Sequence, residues 1–283
     1  MTIEDIILSG DTRGVSRLRR KLPPDFCQRA AQYVLDSEGP VIILTGFYVK
    51  GSWETDGPPG AVAIGRALEA LGREVTYVTD GATPMLRGLV GEPENKVREF
   101  PVADHEASKA IAEVFLEELK PGLAISIERC GMTRETKLYL NMRSVDISEH
   151  TAKLDYLFEG VEKTVAIGDG GNEIGMGSVY DHIPAVSTLV PDPAVTPTDR
   201  LIIASVSNWG GYGLVGCLSI LTGKDLLPSV EEEFEMVKKW IDLGGVDGIS
   251  GEKVYTVDNM DAGHTANVLS RISREIAEAR AAA

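Results

Sequence analysis

The sequence predicts an α/β protein: an open, mostly parallel sheet with helices on both faces. Three observations predict it. Short apolar or β-branched runs alternate with longer amphipathic or alanine-rich stretches. Neither an internal repeat nor a low-complexity linker interrupts that alternation. After each apolar run the chain turns polar and glycine-rich, as it must where parallel strands end at one edge of a sheet. Residues 1–283 are expected to form a single α/β domain, with a helical lead-in over about 1–38 and further helices over about 229–283.

Each element has its own signal. In the lead-in, Pro23-Pro24-Asp25 starts a helix, with Asp25 as cap or first-turn acid. Val41 to Leu44 is a short β-branched strand. Pro59 to Leu71 is an alanine- and leucine-rich helix stopped by Gly72. Glu74 to Thr79 is the next strand, and Asp104 to Lys120 a long amphipathic helix closed by Pro121-Gly122. Leu123 to Ile127 is a strand. Ser148 to Val161 reads as a helix capped by Ser148. Strands follow at Lys163 to Ile167 and Leu201 to Val206, then a glycine-rich start to a helix through Leu221. Two helices, near 229–242 and 261–282, end the chain. Pro184 to Pro197 is a long loop-like insertion, a surface excursion more readily than a lid.

Hydrophobic residues make up 43% and charged residues 25%, enough for a sizeable core in an ordinary soluble protein. The net charge of −15 argues against nucleic-acid binding, which needs a basic face. It leaves an anionic small substrate open, because a local field can oppose net charge. Cys27, Cys130 and Cys217 are far apart and form no CxxC pair, which fits a reduced, cytoplasmic setting. The acidic N-terminus has no signal-peptide core, and no apolar run approaches the roughly 20 residues a membrane span needs. The four histidines share no ligand spacing, and neither HExxH nor GxSxG occurs.

The densest cluster of unusual residues is Ile167-Gly168-Asp169-Gly170-Gly171-Asn172-Glu173-Ile174-Gly175-Met176-Gly177. Its glycines let a ligand approach the main chain, and Gly170 and Gly171 are candidates for that contact. Asp169, Asn172 and Glu173 add acceptors, a donor and metal-ligating oxygens within one turn. The plainer alternative makes Asp169 a helix cap and Glu173 a solvated side chain. No acid-tipped strand completes a dinucleotide fingerprint, and no Lys-Ser/Thr completes a P-loop.

Other strand-end loops converge on the same edge by topology alone. Thr45-Gly46-Phe47 follows the first strand, with Gly46 a substrate-binding candidate. Glu54-Thr55-Asp56-Gly57-Pro58-Pro59-Gly60 follows, offering Glu54 and Asp56 as a carboxylate pair beside a helix start; an acidic cap is the alternative. Glu128 and Arg129 end a strand. Arg129 can clamp a carboxylate or make a salt bridge at the sheet edge. Lys50, Arg134 and Arg143 are weaker candidates for the same task. Asn208, Gly210 and Gly211 can supply oxyanion donors, with Trp209 and Tyr212 as walls. Cys130 sits beside Arg129, which can depress its pKa, but lacks a histidine partner.

These loops, above all residues 167–177 with residues 45–47 and 54–60, resemble the D-glutamate cyclase C-terminal domain family over roughly residues 25 to 260. The resemblance implies a Rossmann-like fold and a hydro-lyase that converts D-glutamate into 5-oxo-D-proline with loss of water. It also implies that a larger region, which precedes this module in mitochondrial members, is not in this sequence. Such a reaction needs a neutral amine and an activated γ-carboxyl. Two carboxyl groups with separated pKa values can provide that, as can a divalent cation, Mg²⁺ or Mn²⁺, held by Asp169 and Glu173. The expected catalytic set is Asp169, Glu173, Asn172, Glu54 and Asp56, on a small acidic amino acid; no cofactor motif is complete, and homo-oligomer formation stays open. Two alternatives remain: a non-catalytic binder or sensor of an anionic metabolite or nucleotide, and an enzyme on a related carboxylate or lactam.

Overall fold

Val41–Leu44 has every side chain buried and forms the first strand of a sheet covered on both faces, as a continuous apolar run in a parallel sheet should. The structure, a computed structural model, describes residues 1–91 and 93–282; residue 283, at the end of the expected C-terminal helices, lies outside them. The strands are β1 (Val41–Leu44), β2 (Tyr48–Val49), β3 (Ser52–Trp53), β4 (Val75–Thr79), β5 (Val97–Glu99), β6 (Leu123–Ile127), β7 (Thr164–Gly168) and β8 (Arg200–Ile203). The helices are α1 (Ile3–Ile7), α2 (Phe26–Leu35), α3 (Pro58–Ala70), α4 (Thr83–Val90), α5 (His105–Leu119), α6 (Asp155–Glu159), α7 (Ser207–Thr222), α8 (Val230–Asp242) and α9 (Ala262–Ala282). Among the described residues no helix is long and apolar enough to cross a membrane.

Six strands form one parallel sheet in the order β5-β4-β1-β6-β7-β8, and β2 and β3 form a separate antiparallel hairpin. Counted by their succession within the sheet, the six run 3-2-1-4-5-6. That is the doubly wound order, with its switch point between β1 and β6, where a ligand crevice opens at the strand carboxyl ends.

Alternation along β7 separates the two faces. Ile167 points at α7, where a Cβ on Gly210 would sit 2.5 Å from Ile167 Cγ2. Ala166 points the other way, against Gly175. Glycines also let α3 and α7 meet closely: a Cβ on Gly211 would lie 3.2 Å from the Gly60 Cα. The glycine-rich start of α7 is thus a helix-packing seam.

Several elements differ from expectation. The lead-in is two short helices with a 3-10 turn, Val15–Lys21, between them. Asp25 precedes α2 but makes no cap bond; its carboxylate accepts from Arg29 Nε instead. Ser148 opens only a 3-10 turn, Ser148–His150, and α6 covers the last part of the expected helix. Helix α4, strand β5 and the β2–β3 hairpin carry patterns too short to read alone. Residues 184–197 are neither lid nor free excursion: Ala194 N–H donates to Gly171 O and Thr196 Oγ1 to buried Asp155.

Candidate active site

The carboxyl ends of β1, β6 and β7 supply five acids to one crevice. Glu54 and Asp56 follow the β2–β3 hairpin that succeeds β1, Glu128 follows β6, and Asp169 and Glu173 follow β7; all are buried. Glu54, Glu128, Asp169, Asn172 and Glu173 line a cleft together with Arg13 and Asp258. Its space, including the part open to solvent, is about 490 Å³. Lys50, Asn141, Met142 and Arg143 line it too. Lys50 Nζ and Arg143 Nη2 donate to the adjacent carbonyls of Ser250 and Ile249 at 2.7 and 2.8 Å.

Glu173 folds back over its own loop. Its carboxylate accepts the N–H groups of Gly170 and Gly171, each at 2.7 Å, and of Asp169 at 3.3 Å. The anion-binding nest expected at Gly170 and Gly171 is therefore filled by the protein itself. Gly171 has φ +100°, a conformation that favours glycine. Asn172 donates to Leu140 O at 3.0 Å while lining the cleft.

Asp169 is paired with Arg13, which also donates to Asp258 at 2.8 Å. Both partners come from segments that sequence reasoning passed over, because neither follows a strand. Asp11 accepts from the N–H groups of Arg13, Gly14 and Ser16 and so shapes the turn that presents Arg13. The glycine-bracketed run Gly10 to Gly14 was the signal for it. Asp247 accepts from Ile249, Ser250, Thr256 and Asn259, which folds the loop carrying Asp258. Gly248 belongs to the same loop: a Cβ there would collide with Glu54 Oε2.

Asp56 lies under the cleft. It accepts from Ser207 and Asn208 N–H at 2.8 and 2.7 Å, capping α7 from another loop. Asn208 returns the contact: its Oδ1 accepts from Gly57 and Gly60, and its Nδ2 donates to Thr55 O. The Asn208 amide is thereby turned into the seam between α3 and α7, and Gly210 packs on the sheet; neither lines the cleft where oxyanion donors were expected of them.

Arg129 is a buried structural link in place of the expected carboxylate clamp. It binds Asp80 at 2.6 Å, Gly46 O at 2.7 Å and Ala152 O at 2.8 Å. Gly46 thus serves through its carbonyl, away from the cleft lining. Arg134 stacks on Tyr180. Burial pushes the Cys130 thiol up, outweighing the nearby Arg129, so the residue is not poised as a thiolate.

Crowding governs the ionisation of the acids. Burial, then Asp258 and Asp56, pushes Glu54 well above the usual carboxylate range. Burial, then Asp169 and Glu173, does the same to Glu128. Asp169 is raised by burial against the opposing pull of Arg13, and so is Asp258. Asp56 is pushed up to about 7 by burial and by Asp258, against the N–H groups of Asn208 and Ser207. Acids raised in this way are biased toward their neutral forms, and a neutral acid is what protonation of a carboxylate substrate requires. Glu54 makes no side-chain hydrogen bond among the described residues and is 7% exposed.

The arrangement has relatives. The chain is 34% identical to human mitochondrial D-glutamate cyclase over 205 residues, which cover 64% of this chain and 33% of that protein. The chain thus matches about a third of the length of that relative. Among solved structures, an exopolyphosphatase-related protein from Bacteroides fragilis aligns over 91% of this chain and 60% of its own, with a TM-score of 0.38 and 9% identity. The family model described as D-glutamate cyclase-like, C-terminal, matches residues 3–273, and the chain belongs to that family.

Proposed function

We propose that this chain is a hydro-lyase that cyclises D-glutamate to 5-oxo-D-proline with loss of water. The observation that carries the reading is Glu54: a buried carboxyl facing the cleft, with no hydrogen-bond partner among the described residues and a strong bias toward its neutral acid. Family membership supplies the substrate class.

Cyclisation forms one bond, from the α-nitrogen to the γ-carbon, and breaks one, from the γ-carbon to an oxygen. Two protons move from the ammonium nitrogen to that oxygen, which leaves as water. Glu54 gives a proton to the γ-carboxylate and, once ionised, takes one from the ammonium. A second exchange through the same group balances the reaction and restores the acid. The α-carboxylate is held by cations lining the cleft, with Arg13 inside it and Lys50 and Arg143 beside Asn141 and Met142.

The test is incubation of the purified protein with D-glutamate and, separately, L-glutamate, with 5-oxoproline followed by chiral chromatography. Conversion of the D-isomer is expected. No conversion of D-glutamate, and no hydrolysis of 5-oxo-D-proline in the reverse direction, would reject the assignment.

A further inference from the structure

We infer that Gly248 is the positioning residue of Glu54: the loop over residues 246–260 lays this glycine against the Glu54 carboxyl, which occupies the space of the missing side chain. The inference rests on the cyclase reading, in which Glu54 exchanges protons with substrate, and names what holds that acid in place.

No polar partner fixes the Glu54 carboxyl. It is buried, lines the cleft and has no hydrogen-bond partner among the described residues. Packing alone then sets where it stands. Gly248 supplies the surface it packs on. A Cβ built on Gly248 would collide with Glu54 Oε2 and lie 3.1 Å from Glu54 Cδ. Any other residue at 248 would claim the volume the carboxyl now fills. Asp258 bounds the same space: its Oδ1 would lie 2.7 Å from that Cβ, while its Oδ2 accepts from Arg13 at 2.8 Å.

The main chain on both sides of this contact is tied down. Glu54 and Val246 pair in parallel, with Thr55 N–H donating to Val246 O at 2.9 Å and Val246 N–H to Trp53 O at 3.1 Å. Thr55 Oγ1 donates to Thr256 O at 2.8 Å, so the loop grips the Glu54 segment at two points. Asp247, fully buried beside the glycine, holds the loop closed. Its carboxylate accepts from Ser250 and Asn259 N–H, each at 2.8 Å, and from the Thr256 hydroxyl at 2.7 Å.

These bonds decide what an added methyl group would move. Backbone at residues 54–55 and 246–248 cannot retreat without breaking them, and each buried break is costly. The Glu54 carboxyl sits at the end of a flexible side chain and breaks nothing by turning away. Gly248 is not in the left-handed region, so alanine brings no backbone strain of its own. A substitution remote from any reacting atom therefore displaces the acid and spares the fold. Proton exchange needs hydrogen-bond distance, and a misplacement of about 1 Å can cost about 10²-fold in rate.

The experiment is Gly248→Ala, read by crystallography and by kinetics. The crystal structure should show the Glu54 carboxyl turned away from residue 248 and the main chain of the loop unmoved. With D-glutamate, kcat should fall by about 10²-fold while KM stays within about twofold of wild type. A double-mutant cycle separates positioning from a merely structural effect. Added to Glu54→Gln, the alanine should lower kcat by less than about twofold, because the carboxyl it displaces is already gone. An unmoved Glu54 carboxyl, or full kcat in Gly248→Ala, overturns the inference. Equal losses in the two backgrounds overturn it too, since the glycine would then act through some other group. Wild-type protein that forms no 5-oxoproline rejects the cyclase reading, and a carboxyl displaced in the Gly248→Ala crystal still supports Gly248 as what positions it.

Discussion

Arg13, partly buried, and Asp169, fully buried, form an ion pair across 156 residues of chain, tying the N-terminal turn to the loop after β7. Arg13 also binds Asp258, so one guanidinium joins three distant segments. Removing one partner of such a group leaves carboxylates uncompensated, which costs about 3–5 kcal/mol in comparable buried pairs. Arg13→Met should therefore destabilise the protein strongly at pH 8. The loss should shrink toward pH 5. Without the arginine, the folded-state pKa values of Asp169 and Asp258 rise further above their unfolded values, so protonation at low pH relieves the defect. Urea midpoints of wild type and variant at both pH values check this, and an equal loss at the two would count against it.

Glu54→Gln separates chemistry from folding. Glutamine has nearly the same shape and removes a carboxyl that makes no hydrogen bond among the described residues, so the fold should hold. If Glu54 exchanges protons with substrate, kcat should fall by about 10²–10⁴-fold, the usual contribution of a positioned acid–base group, with little change in KM. Thermal denaturation at pH 8 should show a Tm no lower than wild type, because a buried ionisable group with a raised pKa has been neutralised. A variant that keeps its full kcat would remove Glu54 from the mechanism.

Five of the six strands of the sheet were readable because they are short, mostly buried and separated by longer helical stretches, while β5, three residues long and half exposed, was not. Convergence of the acids was also readable, since parallel topology delivers every strand end to one edge. The partners of those acids were not. Arg13 and Asp258 lie on turns shaped by Asp11 and Asp247, and nothing local marks such turns as belonging to a sheet edge far away in sequence. The glycines misled for a related reason. Gly175 looked like ligand-accessible backbone, yet its φ of +99° and its contact with Ala166 are matters of packing. Asn208 and Arg129 were polar residues in suggestive loops, but burial turned both toward backbone partners, as it does with any polar group that cannot reach water.

Asn208 makes the case for positioning measurable. Helix α3 begins at Gly57, which has no side chain to cap it, and Asn208 Oδ1 takes the N–H groups of Gly57 and Gly60 instead. Asn208→Ala should strand the Gly60 N–H and the Thr55 carbonyl in a buried seam and leave Gly57 N–H only its bond to Asp56, at a cost of about 2–4 kcal/mol. The same loop carries Glu54 and Asp56, so kcat should fall along with stability. Denaturant unfolding and steady-state kinetics on one preparation test both. An unchanged midpoint would show that the amide is not what holds α3 to α7.

Glu233 gives a pH dependence remote from the cleft. The side chain is 3% exposed, and Tyr212 Oη donates to its Oε1 at 3.4 Å. Burial pushes its carboxyl up to about 7 from an ordinary 4.5, with the tyrosine bond opposing. A carboxyl raised on folding contributes stability that is complete below its unfolded pKa and is lost as pH rises through its folded one. Glu233→Gln should thus match wild type near pH 4 and exceed it by up to about 3 kcal/mol at pH 8.5. Other groups titrate over the same range, so the quantity to follow is the variant-minus-wild-type difference in unfolding free energy, measured in urea at half-unit steps. That difference should grow between pH 5 and 7.5 and then level off. A difference that stays flat across the series would mean that Glu233 titrates as an ordinary carboxylate and that water reaches it.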